Sequence, residues 1–252
     1  MQKFARSISV IEIQALSAGY GKLVVLHEIN LTFATNQFSA ILGPNGSGKS
    51  TLLKSIFGLT SVFGGKIQFE GKNVVGIPTE AIGQQGIAYV PQRENVFTTM
   101  TVRENLLLAL RKIDKQQAVH ALEEAYELFP ILPKRQHQRA GQLSGGERQM
   151  VAIALGWLTR PRAILLDEPS AGLSPALSAD VFSTLQQLAE QNITLIVVEQ
   201  NARSVLQWCE HVFVLREGQL AFQGTVEACR TNEELVKQYL GVGGKKNTPA
   251  DQ

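Results

Sequence analysis

The sequence predicts an α/β fold with a mostly parallel core sheet, an antiparallel β lobe and an inserted helical lobe. Three observations carry this. Short β-branched or apolar runs crowd the first third of the chain. Helical periodicity takes over from about Thr101. From Ala163 to Arg216, strand-like and helix-like segments alternate. Such alternation argues for parallel strands covered by helices.

The elements follow in order. Val10 to Leu16, Leu23 to Phe33 and Phe38 to Leu42 read as strands, separated by turn residues such as Gly19, Gly21 and Asn36. A glycine-rich loop, Gly43 to Gly48, leads into a helix from Lys49 to about Phe57, and further strands are expected at Lys66–Glu70 and Gly86–Val90. Thr101 with Glu104 three residues on has the capping-box arrangement that starts a helix. Asp114 to Phe129 carries Ala118, Leu122, Ala125, Tyr126 and Phe129 at helical spacing, and Pro130 and Pro133 are expected to end it. Arg93 to about Arg160 is therefore a helical lobe inserted between strands. Strand Ala163–Asp167, helix Ala176–Glu190, strand Thr194–Val198, helix Asn201–Cys209 and strand Val212–Arg216 complete the pattern. One domain over 1–242 is expected, with a disordered polar tail over 243–252.

Composition excludes several classes. The chain has 252 residues, 44% hydrophobic and 18% charged, enough for a real core. A net charge of +2 shows no excess of Lys and Arg for a nucleic-acid surface, so no nucleic-acid partner is expected. Two cysteines, Cys209 and Cys229, make neither a disulfide scaffold nor a metal site and read as small buried side chains in a reducing compartment. No apolar run approaches the roughly 20 residues of a membrane span. The start of the chain lacks the pattern of a signal peptide. A cytoplasmic location is expected, with membrane contact only through a partner.

Gly43-Pro44-Asn45-Gly46-Ser47-Gly48-Lys49-Ser50, followed by Thr51, fits the phosphate-loop pattern between a strand and a helix. Glycines let successive amides point at phosphate oxygens, and the positive end of the helix adds to the field. Lys49 can reach the outer phosphates, and Ser50 can hold Mg²⁺. By itself the motif says only that a nucleoside triphosphate binds, although no N-K-x-D guanine-reading motif occurs. Downstream, Ala163 to Pro169 is an apolar strand ending in two carboxylates. Asp167 lies at the carboxyl end of a strand, where α/β sheets bind ligands, and is the candidate Mg²⁺ ligand. Glu168 is the candidate that polarises the attacking water.

Leu143-Ser144-Gly145-Gly146-Glu147-Arg148-Gln149 narrows the reading. With the phosphate loop before it and the acidic pair after it, the chain resembles the ATP-binding-cassette (ABC) ATPase family from Ile13 to about Leu240. The resemblance implies the P-loop ABC ATPase fold, and ATP and Mg²⁺ as ligands. It also implies a dimer that clamps two nucleotides head to tail, so that Ser144, Gly145, Gly146 and Glu147 meet the γ-phosphate on the opposite subunit. Tyr20 matches the aromatic that stacks on adenine. Gln92, in Tyr-Val-Pro-Gln, matches the glutamine that links Mg²⁺ and the attacking water to the helical lobe.

Two positions depart from the family pattern. Gln200 stands where the family usually has a γ-phosphate-sensing histidine, and an amide can donate there without carrying charge. Ser174 stands for the usual aspartate. These departures, with the short C-terminus and Val-Phe-Thr-Thr-Met-Thr-Val-Arg-Glu-Asn-Leu, resemble the smaller ATPase subunit of bacterial branched-chain amino acid importers and their relatives for urea or amides. That resemblance implies a second ABC ATPase, transmembrane permease subunits and a peripheral position on the inner face of the plasma membrane. Val96, Phe97, Met100 and Val102 have two readings: ordinary core packing, or an exposed apolar groove that docks a permease loop. The alternative is a soluble ABC ATPase of a cytosolic assembly system, such as the one serving iron–sulfur scaffolds. A DNA-repair reading ranks last, because no sustained heptads split the chain.

Overall fold

The computed structural model describes residues 9–232 and Leu235. The tail from Gly243 lies outside the described residues. Two sheets organise the chain. The first has four strands: β1 (Ser9–Tyr20), β2 (Leu23–Ala34), β4 (Ser61–Phe69) and β5 (Lys72–Asn73), antiparallel and ordered β2-β1-β4-β5. The second has six strands ordered β10-β9-β3-β8-β7-β6. Its members are β3 (Phe38–Leu42), β6 (Ile87–Val90), β7 (Ala163–Asp167), β8 (Thr194–Glu199), β9 (His211–Arg216) and β10 (Gln219–Thr225). All pair in parallel except β10, which turns back antiparallel on β9.

Side chains of the parallel strands alternate between two cores, as the two-residue strand period requires. Phe38, Ala40 and Leu42 of β3 face one core, and Ile41 faces the other. Ile164 and Leu166 separate from Ala163 and Leu165 in the same way, as do Leu195 and Val197 from Ile196 and Val198. Strands buried on both faces read as continuous apolar runs, which is why Ala-Ile-Leu-Leu and Thr-Leu-Ile-Val-Val carry no polar alternation. The second core joins this sheet to the antiparallel lobe through Leu16, Leu26, Phe33 and Phe69 and to α1 (Lys49–Ile56). The first joins it to the helical lobe and to α7 (Pro175–Glu190). Each fully buried Leu, Ile or Phe contributes about 1.5–3 kcal/mol, so both faces are strongly held.

The helical lobe comprises α3 (Val102–Ala109), α4 (Lys115–Leu128), α5 (Ile131–Arg135) and α6 (Gly145–Leu158), all within 93–160. Thr101 forms the expected capping box: its amide donates to Glu104 Oε2 at 2.7 Å and its Oγ1 accepts from the Glu104 amide at 3.2 Å. The expected stop at Pro130 holds for α4, but a short helix restarts at Ile131, with Pro133 in its first turn, where no intrahelical amide bond is lost. Asn105 is wholly buried and clamps the segment before it, donating to Phe97 O at 3.0 Å and accepting from Phe97 N at 2.8 Å. Of the two readings of this segment, core packing holds at Val96 and Val102. Val96 and Val102 are core residues, and only Phe97, 60% exposed, presents a large apolar surface.

Other differences are local. α2 (Thr79–Gln84) and α9 (Val226–Thr231) form where no helix was expected. The helix expected over 201–209 shrinks to α8 (Ala202–Val205). Cys209 and Cys229 are buried free thiols, as expected of small core side chains. Among the described residues, no helix is long and apolar enough to cross a membrane.

Candidate nucleotide site

The phosphate loop leaves the carboxyl end of β3 and enters α1. Gly43 has φ 153° and Gly48 has φ 99°, both in the region that favours glycine. Neither position tolerates a side chain: a Cβ at Gly43 would sit 2.3 Å from the Leu215 carbonyl, and one at Gly48 would sit 2.7 Å from Leu26 Cδ2. Inside the loop the Ser47 amide donates to Pro44 O at 3.2 Å, and from outside the Gly218 amide donates to Ser47 O at 3.1 Å. Asn45 and Gly46 form its exposed tip, whereas Ser47 and Thr51 are buried.

Two features show that the loop is built around something it does not itself contain. Among the described helices of eight residues or more, α1 alone has no side-chain cap; α3, α4, α6 and α7 are capped by Thr101, Asp114, Ser144 and Ser174. Its first-turn amides are left for an anion. Ser47 Oγ is also buried without a hydrogen-bond partner, and an orphaned buried hydroxyl inside a phosphate loop fits a ligand oxygen.

Lys49 is 4% exposed, and its Nζ donates to Gly43 O at 2.9 Å and Pro44 O at 3.1 Å. Burial pushes its pKa down, while the carboxylates of Glu168, Asp167 and Glu199 pull it up. Ser50 Oγ donates to Asp167 Oδ1 at 2.7 Å, and Tyr89 Oη donates to Asp167 Oδ2 at 3.2 Å. Burial first, then the Asp167 charge and bond, raise the Tyr89 phenol, so it stays a donor. Ser50 and Asp167 are hard oxygen donors, the type a small divalent cation takes. Among the described residues no cluster of three or more His, Cys, Asp or Glu could hold a metal alone.

Glu168 follows β7 with φ 46°, a left-handed conformation unusual for a side-chain-bearing residue. Its amide donates to Val198 O at 2.9 Å, and its Oε2 accepts from Gln92 Nε2 at 2.7 Å. Gln92 lies just after β6, at the strand-to-lobe junction. Gln200 and Glu168 line one cavity with Ser170, Glu199 and Arg203. Tyr20 ends β1 at 42% exposure.

The signature segment stands apart from this cluster. Ser144 caps α6, its Oγ accepting from the Glu147 amide at 3.2 Å. Glu147 accepts from the Ser144 amide at 2.9 Å and from Arg135 Nε at 2.9 Å. These bonds, the backbone one first, hold its carboxyl below the usual range. A Cβ at Gly145 would come within 3.2 Å of Leu173, and one at Gly146 within 3.2 Å of Leu177. Ser144, Gly146 and Glu147 line a different cavity, with Arg135, Met150 and Leu177.

One residue escaped the sequence reading. Glu199 ends β8, is 3% exposed, and its Oε1 accepts from the Ser170 amide at 3.0 Å. Burial drives its pKa up to about 7, against its Ser170 bonds and with help from Glu168. The signal was present: an apolar strand closed by a carboxylate, the same syntax that marks Asp167.

A parallel sheet whose carboxyl edge carries a glycine loop, an uncapped helix and paired acids defines a nucleoside-triphosphate-binding protein of the phosphate-loop type. The family profile described as ABC transporter matches residues 26–171, and the chain belongs to that family as an ATP-binding subunit. It is 38% identical to a probable branched-chain amino acid transport ATP-binding protein, LivF, of Archaeoglobus fulgidus, over 90% of this chain and 97% of the relative. It is also 38% identical to the high-affinity branched-chain amino acid transport ATP-binding protein BraG of Pseudomonas aeruginosa, with the same coverage. A lipopolysaccharide export system ATP-binding protein, LptB, of Haemophilus influenzae is 34% identical over 93% and 98% of the two chains. Among solved structures, the ADP conformation of MJ1267, an ATP-binding cassette of an ABC transporter, superposes with a TM-score of 0.80 at 26% identity, over 92% of this chain and 99% of that one.

Proposed function

We propose that this chain hydrolyses ATP to ADP and phosphate with Mg²⁺ and thereby powers a bacterial importer of branched-chain amino acids or a related small polar solute. The observation that carries the chemistry is the uncapped start of α1 beside Lys49, Ser50 and the two acids. Near-full-length relatives named for branched-chain amino acid transport support the solute class. The cytosolic-assembly alternative is not favoured, since the relatives named above are all transport subunits.

The residues divide the work. Gly43 to Gly48 and the first amides of α1, through Thr51, cradle the phosphates, and Lys49 adds positive charge. Ser50, Asp167 and Gln92 would hold Mg²⁺, which would neutralise charge on the phosphates. Glu168 orients the attacking water, and Gln92 holds that carboxylate from the lobe junction. Gln200 donates an amide hydrogen to the γ-phosphate. Tyr20 stacks on adenine. Ser144, Gly145 and Gly146 meet the γ-phosphate bound by a second ABC subunit, and Glu147 keeps Ser144 in its capping pose. Catalysis is then mainly positioning and charge stabilisation.

The chain works at the inner face of the plasma membrane through permease subunits. A tagged pull-down from detergent-solubilised membranes, read by mass spectrometry, tests this. Hydrophobic permease chains together with a second ATPase are the expected partners. Recovery of soluble scaffold proteins alone would remove the importer reading and leave the ATPase chemistry standing.

A further inference from the structure

We infer that Glu199 is a positioning residue for hydrolysis: its carboxylate pins the turn that carries Glu168. The inference rests on the ATPase reading above and adds a residue to it.

The geometry is local. Glu168 leaves β7 in a left-handed conformation that a side-chain-bearing residue holds only when its surroundings fix it. The turn that follows is tightened by the Ala171 amide on Glu168 O at 3.1 Å and the Leu173 amide on Ser170 O at 3.1 Å. The end of β8 grips this turn at two points. Val198 O takes the Glu168 amide at 2.9 Å, and Glu199 Oε1 takes the Ser170 amide at 3.0 Å. The first grip is backbone and survives any substitution. The second depends on one side chain.

That side chain is buried with its charge near Lys49 and its hydrogen bonds on Ser170 and the Gln200 backbone. Glu199 is 3% exposed on a strand whose other five residues, Thr194 to Val198, are buried and mostly apolar, and burying a carboxylate is costly unless it is bonded. It faces the cavity that also holds Glu168, Ser170 and Gln200. Its neighbour in sequence is Gln200, so a shift of Glu199 moves both the water-orienting acid and the amide that reaches the phosphate. The requirement is for an acceptor of the right reach rather than for negative charge, because the groups it bonds, on Ser170 and the Gln200 backbone, are neutral; attraction to Lys49 is the competing charge role that the variants test.

Two conservative variants separate these requirements. Glu199→Gln keeps the reach and an acceptor oxygen and removes the charge. Glu199→Asp keeps the charge and shortens the reach by one methylene. ATP turnover and affinity for a fluorescent ATP analogue are measured on each purified full chain, with thermal melts as a folding control. Expected are a kcat for Glu199→Gln within about threefold of wild type, and for Glu199→Asp a kcat lowered about tenfold or more, with analogue affinity within twofold in both, as for an interaction felt in the transition state. The reverse order would overturn the positioning role in favour of a charge role. Equal loss of affinity and kcat would overturn it in favour of a phosphate-loop role. Glu168→Gln, assayed alongside, keeps the two readings separate: if that variant still turns over, the role of Glu168 itself fails. If Glu168→Gln is inactive and Glu199→Asp is fully active, only the inference about Glu199 fails.

Discussion

Two helix starts in this molecule solve the same problem in opposite ways. Every helix begins with amides that lack partners inside the helix. α6 covers its own with a complete capping box of Ser144 and Glu147, braced by Arg135. α1 leaves its own open behind a left-handed Gly48, next to a buried lysine and an orphaned serine hydroxyl. A side-chain cap is worth about 1 kcal/mol, so its omission at α1 marks a place kept for a ligand. The signature segment, by contrast, is folded and finished without any ligand, and can be offered to another molecule at no cost in local order. On the proposed function, a glycine-rich helix start has two distinct uses: one holds, the other is presented.

Substitutions can break this contrast, beginning with the largest effect. Glu168→Gln acts on the holding side and should lower ATP turnover about 10²- to 10⁴-fold, the range of general-base loss, while retaining ATP and accumulating an ATP-dependent dimer on size exclusion. Unchanged turnover would remove Glu168 from the mechanism. Ser144→Ala acts on the presented side. It should cost about 1 kcal/mol in denaturant stability through the lost cap. It should also lower turnover about 10- to 100-fold through a lost bond to charged phosphate. Nucleotide affinity of the isolated chain should not change; a parallel loss would mean that Ser144 serves its own chain's nucleotide.

Smaller effects sharpen the holding side. Gln200→Ala should slow turnover about 2- to 10-fold, the value of one neutral hydrogen bond. A loss equal to that of Glu168→Gln would show that this amide carries the full sensing role. The last prediction concerns pH. The folded pKa of Glu199 is raised to about 7 from 4.5 by burial, with the Glu168 carboxylate facing it. Between those values the folded chain binds the extra proton, so stability is highest at the acid end and falls as pH rises through 7, by at most about 1.4 kcal/mol per pH unit. Melting curves from pH 5 to 8 should show this fall in wild type and a flatter profile in Glu199→Gln.

Much of the site was legible because its chemistry is written in short contiguous segments. Gly43 to Ser50, Ala163 to Glu168 and Leu143 to Gln149 each fix a residue type through a local backbone need, whether a positive φ, an open helix start or a cap. Glu199 closes an apolar strand as Asp167 does, but it was missed because its role is set by a partner 29 positions away, the Ser170 amide. β10 was missed because Gln219–Thr225 is an edge strand with alternating partial burial, weak as a hydrophobic signal. Val96 and Val102 stay open between core and groove in the sequence because their burial depends on how Asn105 folds the preceding loop back onto α3.

The order of strands in the larger sheet has a consequence for how the molecule is made. β3, which delivers the phosphate loop, has as neighbours only β8 and β9, and Phe38 pairs with Leu195. The loop's outer brace, Gly218, comes later still. At roughly 5–20 residues per second, a ribosome needs on the order of 10–30 s between making that strand and making its partners. Throughout this interval the phosphate loop is present as sequence but has no sheet to shape it. The capacity to hold a triphosphate is thus acquired only once β8 and β9 are made, after the helical lobe and its signature have already emerged.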